Sequence, residues 1–155
     1  MTLIEVTLVV MIIGILMLLG IPALNGAKKS AEDRSAQASL RIAVTNAKAI
    51  RAETDNFADA DPTALTKAEP SLRFTVGASL DPKVVSVDNR GSAIVLASRS
   101  DSGICYVIGD AANAAGTVYQ NLGLARCQAS DVAAIPTATP ADEHAAVGGD
   151  WARGW

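Results

Sequence analysis

From Val6 to Ala27 the chain carries no charged residue, and a single carboxylate, Glu5, stands immediately before that run. A stretch of about 20 apolar residues is long enough, at the helical rise, to cross the hydrocarbon core of a bilayer. No basic residue precedes the run, and the first cations, Lys28 and Lys29, come after it. A secretory signal peptide has the opposite order, with positive charge first and a small-residue cleavage site after a shorter apolar stretch. Glu5 adds a second constraint. A carboxylate in an apolar span as a rule has a partner, and no basic side chain before Lys28 can supply one. The nearest counter-charge is an α-amino group: that of Met1 in the same chain, about one helical turn away, or that of a neighbouring copy in a bundle of staggered parallel helices. The alternative is a carboxylate snorkelling near the headgroups.

Beyond residue 27 the 155-residue chain reads as one modest domain with its own core. The net charge of −3 gives no electrostatic reason to expect nucleic-acid binding. Residues 28–57 keep helical periodicity: Leu40, Ala43, Ala47, Ile50, Thr54 and Phe57 recur at spacings of three and four, on one face. Asn25-Gly26 is a turn signal, yet alanine dominates the next thirty or so residues and no proline interrupts them. One long, gently bent helix to about Asn56 is therefore expected, packing its stripe on a sheet. Residues 59–70, with two prolines, read as a loop with one short turn. Short strands are expected over 73–76, 83–87, 92–98 and 104–108, with turns at Asp81-Pro82 and Asp88-Asn89-Arg90-Gly91. The fold class is α+β, a long N-terminal helix packed by its C-terminal half on a small antiparallel β-sheet.

The head spans residues 58–132 and holds both cysteines, Cys105 and Cys127. An even count beside a membrane-targeting segment suits a single disulfide in an exported domain; two buried free thiols are the alternative. Residues 133–155 have no convincing period and read as an extended tail. Trp151 and Trp155 either dock on the head or a neighbouring subunit, or belong to a frayed end.

No catalytic constellation is visible. His144 is alone in the tail, so no zinc site of standard composition is available. Ser98, Ser100 and Ser102 have no histidine nearby in sequence and read as turn residues. Asp55, Asp59 and Asp61 lack the glycine and terminal glutamate of a calcium loop. With aromatics at 4%, a stacked path for electron conduction is not expected. No cofactor, no metal and no enzymatic activity are expected.

The segment Thr2-Leu3-Ile4-Glu5-Val6, with the apolar run and Pro22 after it, resembles the N-terminal signature of mature type IV pilins and type II secretion pseudopilins. The resemblance is carried by the stretch up to Ser30; Met1 stands where the family usually has phenylalanine. It implies that a prepilin peptidase removes a short basic leader, so that Met1 is the processed, N-methylated end. It implies that residues 1–27 serve first as a transmembrane helix and then as a filament core, with Glu5 pairing to the amine of a neighbouring Met1. The weak helix formers Gly14, Gly20 and Pro22 mark a stretch that unwinds in the assembled filament, or merely kinks at Pro22. The chain is then the major subunit of a type IV pilus, a helical homopolymer built by an ATPase-powered machine. Such a subunit is held in the cytoplasmic membrane before assembly and displayed at the cell surface after it. Adhesion and twitching motility are family functions. A type II secretion pseudopilin, or a simple membrane-anchored binding module, is the alternative.

Overall fold

A computed structural model describes residues 2–112, 116–123 and 126–155, with residues 18–25 described by their backbone alone. The chain divides into two compact units, one up to Ala31 and one from Glu32 to Trp155. Helix α1 runs without a break over Leu3–Thr54. Asn25-Gly26 does not end it, as expected from the alanine-rich continuation. Its end comes slightly earlier than expected. Asp55 adopts a left-handed φ of 60° and its N–H bonds the Arg51 carbonyl at 2.7 Å, a short-polar-residue version of the usual glycine stop. Thr54 is therefore exposed, and Phe57 enters the core from the loop rather than as part of the helical stripe.

The loop expected over residues 59–70 contains a second helix, α2, at Pro62–Ala68. Asp61 caps it by accepting the Ala64 N–H at 2.8 Å, and Pro62 occupies its first turn, where a missing N–H is harmless. Leu65 anchors it in the core.

The sheet has five strands in sequence order: β1 (Arg73–Thr75), β2 (Val84–Asn89), β3 (Ala93–Arg99), β4 (Cys105–Ala111) and β5 (Gly116–Leu122). Two expectations are corrected. The sheet is mixed rather than antiparallel, because β1 pairs parallel to β2, Arg73 opposite Val84. The residues between these strands bring the chain back to its starting end, whereas the other neighbours are antiparallel. The second correction is β5 itself, which lies beyond the last strand expected from the sequence, 104–108.

Both faces of the sheet are covered, so β3 and β4 read as almost continuous apolar runs. Ile94, Leu96, Tyr106 and Ile108 pack with Val85 and Val87 against Ala36, Leu40, Ala43, Val44 and Ala47 of α1. The alternate side chains Val95, Ala97, Cys105, Val107 and Val118 pack under Cys127, Ala129, Val132 and Trp151. The two cysteines form the expected disulfide, with Cα atoms 5.3 Å apart. A short 3-10 turn, Ala129–Asp131, continues this outer cover.

Candidate functional site

The start of α1 is built from Thr2-x-x-Glu5. The Thr2 carbonyl accepts the N–H groups of Glu5 and Val6 at 3.1 and 3.3 Å. In return the Thr2 N–H donates to Glu5 Oε2 at 3.4 Å. This is one half of a capping box, whose sequence signal is Thr and Glu three residues apart. It gives the carboxylate a local task beside any pairing between copies. At 3.4 Å the bond is long for an amide donor, so the carboxylate keeps capacity for a stronger partner. Met1, the expected partner residue, lies outside the described residues.

Every residue from Thr2 to Met17 is exposed. Leu3 is 84%, Ile4 73% and Met11 68% accessible, and the large apolar side chains at 3, 4, 6, 8–13 and 15–17 occupy all sides of the helix. Such a segment has no core of its own to enter. Gly14 lies in open space within this row. Gly20 and Pro22, the other residues expected to weaken the helix, fall in the stretch described by backbone alone, where α1 is continuous. Among the described residues no helix is long and apolar enough to cross a membrane. The span expected from the sequence runs through residues 18–25, whose side chains lie outside the described residues.

In the second unit, two polar clusters fix α1 to the sheet. Asp110 on β4, its side chain 3% exposed, meets Lys48 at 2.9 Å and Arg51 at 3.6 Å and accepts the Thr117 hydroxyl at 2.6 Å. One turn of helix thus supplies both cations to a buried carboxylate, which cannot be left unpaired. Further along, Asp33 accepts the hydroxyls of Ser100, at 2.7 Å, and of Ser102. Burial, and then the negative charge of Asp33, hold the Tyr106 hydroxyl above the usual phenol range. Two of the serines read as turn residues therefore tie the β3–β4 turn to the helix. Ser98 instead donates to the Pro82 carbonyl at 3.3 Å.

Of the three acidic loop residues, Asp55 closes α1 and Asp61 opens α2. Among the described residues no group of three His, Cys, Asp or Glu side chains could hold a metal ion. His144 is exposed.

The C-terminal segment is docked rather than frayed. Tyr119 and Ala152 exchange backbone hydrogen bonds of 2.9 and 2.8 Å, and Gly148 N–H donates to the Asn121 carbonyl. Trp151 is buried on the outer face of the sheet. Trp155 sits on the α1 face, edge-on to Tyr106 and Tyr119 at 5.7 and 4.8 Å and beneath the Arg41 guanidinium at 5.5 Å. Compared with protein-family models, with curated proteins and with solved structures, the chain finds no match.

Proposed function

We propose that this chain is a structural subunit, a pilin of the type IV kind, that polymerises through the first part of α1 into an extracellular filament. The observation that carries this reading is the exposed apolar row from Leu3 to Met17 with one carboxylate at its start. Apolar surface left in water costs about 25 cal/mol per Å², so this row needs an apolar surrounding. A helix joining one partner would present a single stripe. Here apolar side chains point in every direction, which suits a helix enclosed by several others, as in a filament core.

In that core the Glu5 carboxylate of one copy meets the N-terminal amine of Met1 in the next. The pair fixes the stagger, because a buried charge without its partner is strongly unfavourable. Before assembly the same surface is held in the cytoplasmic membrane. Membrane and filament core are both apolar, so transfer between them changes little in solvation, and an ATPase-powered assembly machine can drive it. A prepilin peptidase supplies the free amine on Met1.

The test is Glu5→Ala, scored by filament yield, with near-ultraviolet circular dichroism as a check on the fold of the Glu32–Trp155 unit. Yield should collapse while the spectrum is unchanged. Normal yield, or full function of the Glu32–Trp155 unit released from the first part of α1, would instead point to a membrane-anchored binding module.

A further inference from the structure

We propose that residues 141–155 form an exchangeable strap, able to leave the β5 edge of its own subunit and occupy the same edge of a second copy. The strap is a closed unit. Ala145 N–H donates to Gly154 O at 2.8 Å and Arg153 N–H to Asp142 O at 2.9 Å, joining its two ends. It straddles the edge of the sheet, with Trp151 on one face, Trp155 on the other and Ala152 paired to Tyr119 between them. Side chains of β5 reach out to it as well, Gln120 to Gly149 O at 2.9 Å and Asn121 to Ala145 O at 2.8 Å.

The seam also holds buried polar atoms that no protein group satisfies. Among the described residues, four buried side-chain polar atoms have no partner: Gln120 Oε1, Asn121 Oδ1, Trp151 Nε1 and Trp155 Nε1. All four belong to the strap or to the two β5 residues that hold it. Orphaned buried groups weaken the contact that buries them. The strap is joined to the rest of the chain through residues 136–140, which contain no helix or strand and carry Pro136 and Pro140. Prolines keep such a connection extended and so favour reaching outward.

The occupant is set by the segment that already fills the site. The groove accepts this sequence, so the strap of a second copy meets the same backbone donors, the same aromatic pair and the same Arg41. Exchange of an identical terminal element replaces contacts without losing any, and is a low-cost route to linking copies. It needs only two copies and is independent of the apolar helix, and therefore of the filament reading.

The experiment uses the full chain, solubilised in detergent as single copies. One variant carries Asn121→Cys and another Val147→Cys, a pair opposed across the seam. The two positions are bridge partners across the seam, and a disulfide closes where Cα atoms lie about 4.4–6.8 Å apart. Mixing the two under mild oxidation should yield a covalent heterodimer joined through 121 and 147. Overturning the proposal would be a double variant that closes within one chain while the mixture gives no heterodimer. Hydrogen exchange on the unmodified chain is the second arm. The amides of Ala152 and Gly148 should exchange about 100-fold faster than that of Val107, through an opening that leaves the sheet intact. Equal protection at all three would mean the strap opens only with global unfolding, and would equally overturn exchange.

Discussion

Replacing Glu5 with glutamine separates two uses of one carboxylate. Glutamine still accepts the Thr2 N–H and preserves the helix start, but it cannot neutralise an amine. Glu5→Gln should therefore fall to the filament yield of Glu5→Ala; recovery toward the unmodified level would make the residue a cap alone. Gly109 is a residue whose smallness is required. A Cβ there would lie 2.9 Å from Ile135 and 3.0 Å from Trp151, so Gly109→Ala should cost about 1–3 kcal/mol by overpacking, read as a lower denaturation midpoint. Tyr106 carries a pH signature. Its proton is held more tightly folded than unfolded, so its contribution is complete below the ordinary phenol range, about 10. It is lost as pH rises through the folded value. Tyr106→Phe should flatten that alkaline loss, measured as unfolding midpoint against pH. The surroundings of Gly109 and Tyr106 were not legible in the sequence, since each contact joins residues far apart along the chain.

At the scale of elements, the readable features were those that repeat. The Leu40, Ala43 and Ala47 stripe and the apolar β3 and β4 segments lie in the core as their periods require. Strand β5 escaped because Thr117, Gln120 and Asn121 break the apolar run, although Val118 and Tyr119 carry strand preference. Its polar members are explained by the groups they hold, Thr117 at Asp110 and the other two at the strap. Helix α2 was signalled by Asp61-Pro62, a cap and then a first-turn proline. The parallel pairing of β1 had no local signal at all. The disulfide ties β4 to the outer cover across a sequence separation of 22, and closing a loop of that size is worth about 3 kcal/mol in the chain-entropy model. Reduction, or Cys105→Ser with Cys127→Ser, should lower unfolding free energy by that amount in a urea titration while leaving far-ultraviolet circular dichroism unchanged.

For the whole molecule, the division at residue 31 separates two kinds of chemistry. The Glu32–Trp155 unit buries its apolar surface within itself, on both faces of one sheet. In the first unit the large apolar side chains from Leu3 to Met17 are exposed, and the proposed polymerisation is what covers them. That contrast was legible from Val6 to Ala27 alone, whereas the local cap on Glu5 was hidden in a motif that a membrane reading passes over. The most direct measurement is electron microscopy of cell surfaces, with mass spectrometry of the sheared material and of its N-terminus. Micrometre-long fibres made mainly of this chain, with a methylated amine on Met1, are the expected result. Cells that hold the chain only as stable monomers, with a formylated or longer N-terminus, would contradict polymerisation through the first part of α1.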